Sequence, residues 1–292
     1  MTHIACLLQL LEENKKVITI YILVTTVLAH ALADFVFQSN ALMEQKRNIA
    51  DWRACLFAHI KHALIQAILL FLFLHMFNLS VASKYILSVI AIHAIIDFAK
   101  IKFENTSNGM QNCVKYTKRL VLFTIDQLLH IASIIIVWNH FSFHINNTVL
   151  NWYKNIFGVI NESTIGLSIA AGAVVYVYVC FGGAHFIRLF LDFIYRRVPD
   201  YQSKLNSSGG ESGQGALSTL SIGKTIGIIE RFLILTLFVN GEYVSIAAII
   251  GLKSLARFKN LDNKSFAEYY IVGTLTSLSV AALGVLILSK WV

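Results

Sequence analysis

Long apolar runs separated by short polar segments dominate this chain of 292 residues. A helix needs about 20 mostly apolar residues to cross the hydrocarbon core of a bilayer. The runs that predict such helices are Val17–Gln38, Cys55–Phe77, Lys84–Ala99, Leu120–Trp138, Thr164–Ile194 and Tyr270–Leu288. The pattern therefore predicts an all-α fold, a polytopic transmembrane helical bundle.

Two shorter apolar runs, Ile222–Val239 and Tyr243–Leu255, precede the last long run. They are joined by Asn240-Gly241, and Asn-Gly is a strong tight-turn signal. These runs are either two short spans or one re-entrant hairpin. With them the bundle has about eight helices.

A stretch rich in serine and glycine, residues 206–215, interrupts the apolar pattern. This composition is typical of a flexible linker, which we place at residues 199–221 on the cytoplasmic side. The linker separates a five-helix membrane domain, residues 1–198, from residues 222–292. That last part holds the helical hairpin and the final span.

Composition supports a membrane protein and argues against two other classes. Hydrophobic residues make up 57% of the chain and charged residues 14%, whereas soluble domains have roughly 25% charged residues. The formal net charge of +8 could suggest nucleic acid, but the basic residues lie in short clusters between apolar runs, so we expect no nucleic-acid partner. The four cysteines form no C-x-x-C pair, which argues against a zinc ribbon or a disulfide framework.

The distribution of Lys and Arg predicts the topology. Most of them follow the first, third, fifth and seventh apolar runs. Loops rich in Lys and Arg stay in the cytoplasm. Both termini are therefore expected on the non-cytoplasmic side.

Histidine and aspartate pairs recur inside the predicted spans. His30 and Asp34 in the first run and His93 and Asp97 in the third both occur as His-Ala-x-x-Asp-Phe, and the fourth run has the reverse pair, Asp126 and His130. Residues four apart share a helical face. The second run adds two more histidines, His59 and His62.

These side chains are expected at one depth near the cytoplasmic leaflet, because each lies a few residues from the cytoplasmic end of its span and a helix rises 1.5 Å per residue. Ionisable groups inside membranes are costly and usually functional. The pattern predicts a divalent-metal site, and mixed nitrogen and oxygen ligands suit Zn, Mn or Fe. The candidate metal ligands are His30, Asp34, His59, His62, His93, Asp97 and His130, with Asp126 as a catalytic candidate. Alternatively, the pairs are only structural hydrogen bonds between helices.

Other charged residues are candidates for catalysis or for binding an anionic substrate. Glu230 could act as a general base, and Arg188 or Arg231 could hold the anion. Equally, Glu230 and Arg231 could form an internal ion pair. Lys46 and Lys100 at the cytoplasmic rim could bind an anionic head group, or they are only topology signals.

At these residues the chain resembles a prokaryotic integral membrane family catalogued as domain of unknown function 3307. The matching segments are His30-Ala-Leu-Ala-Asp34-Phe, His59-x-x-His62, His93-Ala-Ile-Ile-Asp97-Phe with Lys100, and Asp126-Gln-Leu-Leu-His130. Residues 223–231, 253–258 and 268–277 resemble the C-terminal extension of longer members. The resemblance implies a multi-pass protein of the prokaryotic cell (inner) membrane and implies no activity.

The leading functional hypothesis is a metal-dependent hydrolase acting on a lipid-like or phosphate-ester substrate. A fainter similarity in style to membrane-bound metal-dependent hydrolases favours it by analogy only. One alternative is an ion, proton or metal transporter, because intramembrane His and Asp chains also relay ions. Another is a membrane sensor or partner-binding module whose polar pairs are structural and whose basic loops dock a soluble cytoplasmic protein. Membrane lipids are expected partners in every case.

Overall fold

A computed structural model describes residues 15–105, 112–157, 165–195 and 215–290. These residues are helical apart from short turns, and their only β-type pairing is an isolated bridge between Phe77 and Ile145. The all-α prediction is confirmed. The α-helices are α1 (Lys15–Ala31), α2 (Asn40–Arg47), α3 (Trp52–Leu74), α4 (Leu79–Asn105), α5 (Asn112–Asn139), α6 (Asn147–Phe157), α7 (Ile165–Val177), α8 (Gly183–Tyr195), α9 (Gly215–Val239), α10 (Tyr243–Ala256), α11 (Phe258–Leu261) and α12 (Lys264–Leu288).

Two π-helical turns interrupt the long apolar segments. The first, Leu32–Val36, follows α1, and the second, Tyr178–Gly182, lies between α7 and α8. Within the described residues, six segments are long and apolar enough to cross a membrane. They are Val17–Val36, Trp52–Leu74, Leu79–Glu104, Val114–Asn139, Gly166–Tyr195 and Lys264–Leu288. They agree with the six long runs of the sequence.

The turn predicted at Asn240-Gly241 is confirmed. Gly241 has a φ of 74°, a left-handed conformation that glycine adopts without steric cost. The helix before it, α9, begins at Gly215, inside the segment assigned to the linker. The remaining linker residues, 199–214, lie outside the described residues. The helix after the turn, α10, has 14 residues, fewer than the about 20 that a span needs.

Three helices were not predicted from the apolar pattern, namely α2, α6 and α11. Helix α2 is mostly polar but begins with a clear cap, because the Ser39 hydroxyl accepts a hydrogen bond from the Leu42 amide at 3.2 Å. Helix α6 is amphipathic, with Leu150 buried and Trp152 exposed. Such helices are too short or too polar to register as spans.

The chain divides into two compact units. Of the described residues, the first unit holds 15–105, 124–157 and 165–177, and the second holds 112–123, 178–195 and 215–290. In the first unit α1 packs against α3 and α7, and α3 packs against α2 and α4. Its core contains an aromatic cluster, where the Tyr85 ring meets Phe141 and Phe143 and the Tyr85 hydroxyl lies 3.0 Å from Thr26 Oγ1.

In the second unit α9 packs against α12, α10 and the π turn at Tyr178–Gly182. The π turn leaves the Cys180 carbonyl available to a side chain. Arg231 of α9 donates to that oxygen from Nη2 at 2.9 Å and from Nε at 3.3 Å. Gly227 and Gly183 give its guanidinium room, since a Cβ at either position would lie within 3.5 Å of Arg231 atoms.

Candidate metal centre

The π turn after α1 carries the first acidic residue of the site. Phe37 N–H bonds to the Leu32 carbonyl at 2.9 Å, a five-residue spacing that is rare and often occurs at functional sites. Asp34 lies in this turn. Its Oδ1 is 3.9 Å from His30 Nδ1 on its own helix and 3.1 Å from His62 Nε2 on α3.

His62 and His93 complete a triangle of donor atoms from three helices. The two Nε2 atoms are 2.9 Å apart, and Asp34 Oδ1 lies 3.1 Å from His62 Nε2 and 3.6 Å from His93 Nε2. Metal bonds of about 2.1 Å place neighbouring ligand atoms about 3.0 Å apart at 90° and about 3.4 Å apart at a tetrahedral angle. The triangle has the dimensions of one face of a coordination polyhedron.

Asp97 is the next donor beside this triangle. Its Oδ2 lies 3.8 Å from His62 Nε2 and 3.7 Å from His93 Nε2. The same oxygen accepts a hydrogen bond from Lys46 Nζ at 2.6 Å. Lys46 reaches this point from α2 and is only 2% exposed, so the ammonium lies inside the cluster rather than at a solvated rim.

A third carboxylate, Asp126, borders the cluster with His130. Lys100 Nζ donates to Asp126 Oδ2 at 2.7 Å. His130 Nδ1 lies 2.8 Å from the Asp126 backbone carbonyl, and because a carbonyl only accepts, Nδ1 carries the proton. His130 Nε2 is then the lone-pair nitrogen, and it lies 3.9 Å from Asp97 Oδ1.

The four cluster imidazoles pack on one another. The His30 and His130 rings are stacked with centroids 4.8 Å apart, and the His93 ring lies 4.2 Å from the His130 ring. His30 is completely buried and His62 is 2% exposed. The described residues thus place imidazoles and carboxylates from α1 with its π turn, α3, α4 and α5 at one location.

Several buried polar atoms in this cluster have no hydrogen-bond partner among the described residues. They are both ring nitrogens of His30, Asp34 Oδ1, His62 Nδ1, His130 Nε2 and Asp126 Oδ1. A buried polar atom without a partner costs about 1–3 kcal/mol. The donor atoms of three residue groups converge closely enough to hold a metal ion: His30, Asp34 and His93; His62, His93 and Asp97; and Asp97, Asp126 and His130.

His59 stands apart from the other histidines. Its Nδ1 donates to the Cys55 carbonyl at 2.8 Å, and its ring lies 6.1 Å from the Phe98 ring. Among the described residues it belongs to none of the groups with converging donor atoms. Lys46 and Lys100, predicted to bind substrate, form ion pairs with Asp97 and Asp126.

The other predicted site residues lie in the second unit. Glu230 pairs with Lys253 through contacts of 2.9 Å and 2.7 Å. Arg231, the neighbour considered for an internal pair with Glu230, donates to the Cys180 carbonyl. Arg188 is exposed. Among the described residues, Glu230 belongs to no group of converging metal-ligand atoms.

One buried polar residue on the same helix as His62 was not predicted from the sequence. Gln66 lies on α3 four residues after His62 and is 1% exposed, with Oε1 unpartnered. The signal was its spacing, because residues four apart share a helical face. A neutral amide in an apolar run attracts less notice than a charged group.

Residues 22–157, which contain every residue of the cluster, match the model of a family described as "Protein of unknown function (DUF3307)". Comparisons with curated proteins and with solved structures gave no match.

Proposed function

We propose that this chain, whose residues 22–157 match the family of unknown function DUF3307, is a membrane-embedded, metal-dependent hydrolase. Asp34, His62, His93 and Asp97 would hold one divalent cation. The observation that carries this proposal is the triangle of donor atoms with edges of 2.9, 3.1 and 3.6 Å. The substrate would be a lipid-like ester or phosphate ester.

The structural alternative accounts for less of the cluster. A hydrogen bond between His62 and His93 at 2.9 Å satisfies one nitrogen of each ring. With neutral rings that bond uses the single hydrogen between the two Nε2 atoms, so Asp34 Oδ1, 3.1 Å from His62 Nε2, is left without a hydrogen-bond partner. Buried polar groups are normally paired, and a cation beside Asp34 would give that oxygen a partner.

The charges of the cluster favour one divalent ion rather than two. Asp34, Asp97 and Asp126 outnumber Lys46 and Lys100, so with neutral imidazoles the cluster carries one net negative charge. One divalent cation changes the net charge to one positive, which an anionic substrate or a hydroxide neutralises. Two divalent cations would leave three positive charges in an apolar interior, where uncompensated charge is very costly.

The donor set also bounds the metal and its chemistry. Imidazole nitrogen together with carboxylate oxygen suits Zn, Mn or Fe. A divalent metal supplies Lewis acidity, which polarises a carbonyl or phosphoryl oxygen and acidifies water. Soft thiolate ligands are absent from the converging groups of the described residues, which disfavours copper(I).

His130 is the group we propose as general base. Its Nδ1 proton is held by the Asp126 carbonyl, and its Nε2 is buried without a partner. A neutral imidazole with one nitrogen fixed and the other free can accept a proton from water. Asp126 is then a positioning residue, and Lys100 holds its carboxylate in place. Glu230, the base considered from the sequence, has both oxygens beside Lys253.

The proposed location is a prokaryotic inner membrane with both termini outside the cytoplasm. Six described segments are long and apolar enough to cross a bilayer, and Lys and Arg concentrate in alternate loops. The cluster would then lie near the cytoplasmic leaflet. This depth and the basic residues nearby favour a membrane lipid or another amphiphilic anion as substrate.

A turnover assay on metal-loaded protein in detergent tests the hydrolase. The probes are a chromogenic phosphodiester and a fluorescent phospholipid, each with Zn, Mn or Fe. His130→Gln is expected to keep the metal and lose at least about 100-fold in rate, the usual contribution of a general base. His59→Gln is the matched control and is expected to keep both. Metal-loaded protein without turnover of either probe, or full turnover by His130→Gln, contradicts this mechanism.

A second candidate is transport of a metal ion or proton, and the burial of the cluster favours it. His30 is 0% exposed and His130 is 1% exposed, as expected for a carrier closed at both faces. Purified protein in vesicles separates the two candidates. A carrier moves metal ions or protons across the vesicle wall without turnover, whereas the hydrolase turns over substrate without flux.

A further inference from the structure

Lys61 is a charged residue on the outer face of an apolar helix. It lies within α3, nine residues after Trp52, and its side chain is exposed. At a rise of 1.5 Å per residue it is about 13 Å from the start of the helix. In the membrane placement proposed above, the backbone of Lys61 therefore lies below the membrane interface, and its side chain faces lipid.

No carboxylate neutralises this lysine among the described residues. Its recorded contact is with the Phe57 ring, whose centroid lies 4.6 Å from Nζ. Phe57 is one helical turn closer to the start of α3, so the side chain extends toward the cytoplasmic surface. Long basic side chains do this to bring their charge to the head-group layer. A cation–π contact offsets only about 0.5–2 kcal/mol of the desolvation cost.

Lys61 lines a groove between α3 and the segment that runs from Phe37 into α2. The groove has a volume of about 420 Å³, within the usual range for small-molecule sites. No acidic residue lines it. The lining that matters here is apolar at Phe37, Leu64 and Ile65 and polar at Ser39, Gln45 and Lys61.

We propose that this groove binds an anionic phospholipid from the cytoplasmic leaflet. The phosphate would lie at Lys61, and the hydroxyl and amide of Ser39 and Gln45 would hydrogen-bond the head group. An acyl chain would lie along Phe37, Leu64 and Ile65. One unpaired cation beside an apolar wall matches an amphiphilic anion, and a free inorganic anion would leave the apolar wall unused. The proposal rests on the membrane placement proposed above and not on the metal centre.

Native mass spectrometry of the detergent-solubilised full chain tests this site. The protein is titrated with phosphatidylglycerol and, in parallel, with phosphatidylcholine. The wild type is expected to retain phosphatidylglycerol more strongly. Lys61→Leu should weaken retention about fivefold, the effect of one basic residue near an anionic membrane surface, and Lys61→Arg should preserve it. Lys84→Leu removes another exposed lysine, on α4, and should change nothing.

A second variant tests the shape of the groove without changing its charge. Leu64→Trp adds bulk to the apolar wall and should also lower phosphatidylglycerol retention. Inorganic phosphate at millimolar concentration should not displace the lipid. Equal retention by the wild type and Lys61→Leu, an equal loss in Lys84→Leu, or displacement by inorganic phosphate would each overturn the proposal. Metal content and membrane extraction are measured on the same samples, so failure of the lipid site is distinguishable from failure of the metal centre or of the membrane placement.

Discussion

His59 and His62 show how two histidines on one helix come to have different roles. His62 Nε2 lies 3.1 Å from Asp34 Oδ1 and 2.9 Å from His93 Nε2. His59 instead donates to the Cys55 carbonyl of its own helix. Residues three apart differ by about 60° around a helix, so spacing alone could not separate them. The neighbours of each ring decide which one can bind metal.

Replacing each histidine in turn tests this distinction. His62→Ala removes a donor from the triangle and is expected to weaken metal affinity at least about 100-fold. His59→Ala should leave metal affinity unchanged. Isothermal titration calorimetry of the metal-free proteins with a divalent ion measures the metal affinity of both variants. Equal losses in the two variants would show that the ligand set is wrong.

At the scale of single elements, two neighbouring basic residues of α2 form ion pairs with acidic residues of α4. Lys46 pairs with Asp97 at 2.6 Å, and Arg47 pairs with Glu104 at 3.0 Å. The two acids are seven residues apart on one helix and therefore share a face. The pairs differ in burial, because the Lys46 side chain is 3% exposed and that of Arg47 is 39% exposed.

Burial predicts very different costs for losing these pairs. Lys46→Met leaves a buried carboxylate without its cation and is expected to destabilise the protein by about 3–5 kcal/mol. Arg47→Met breaks a partly exposed pair and should cost below about 1 kcal/mol. Thermal unfolding in detergent compares them under identical conditions. Similar midpoints for the two variants would contradict a buried role for Lys46.

The π turn between α7 and α8 is supported by a buried arginine. Arg231 is 4% exposed and donates twice to the Cys180 carbonyl. A π turn breaks the regular helical hydrogen-bond ladder, and buried carbonyls need a donor. This contact gives Arg231 a structural role within the second unit.

Removing that arginine should destabilise the second unit. Arg231→Met leaves the Cys180 carbonyl without its side-chain donors and should cost about 1–3 kcal/mol. Arg188→Met changes an exposed arginine and is the control, with no change expected. Unfolding midpoints in detergent again provide the measurement. An Arg231→Met protein as stable as the wild type would remove the proposed support.

The sequence predicted the long helices well and the local irregularities poorly. Long apolar runs predict long helices, because the length and composition that favour burial in lipid can be read from the sequence. Helices α3 and α12 were predicted in this way. Helix α2 is polar, and it exists because its cap and its ion pairs hold it against α3 and α4. The π turn that carries Asp34 depends on packing between helices. For the same reason, the sequence alone could not predict that Lys46 pairs with Asp97.

At the scale of the whole molecule, alternate loops are expected on opposite sides of a membrane. The loops after α2 and α10 adjoin segments rich in Lys and Arg, whereas those after α5 and α9 do not. Cytoplasmic loops carry this excess. Each of the two units has exposed loop residues both next to segments rich in Lys and Arg and in loops that lack them.

Cysteine labelling in intact cells tests that arrangement. Single cysteines at Ser142 and Glu242 should react with a membrane-impermeant maleimide. Cysteines at Ile49 and Asn260 should react only after the cells are opened. All four positions are exposed in the structure. The opposite labelling pattern would reverse the topology and place the cluster near the outer leaflet.

Metal content of the native protein tests the central claim most directly. Protein purified in detergent without chelators, from cells supplied with Zn, Mn and Fe, is analysed by inductively coupled plasma mass spectrometry. The proposed site predicts about one divalent ion per chain, absent from the Asp34→Asn, His62→Ala double variant. A native preparation that contains no such ion and takes up none on titration would contradict the metal centre.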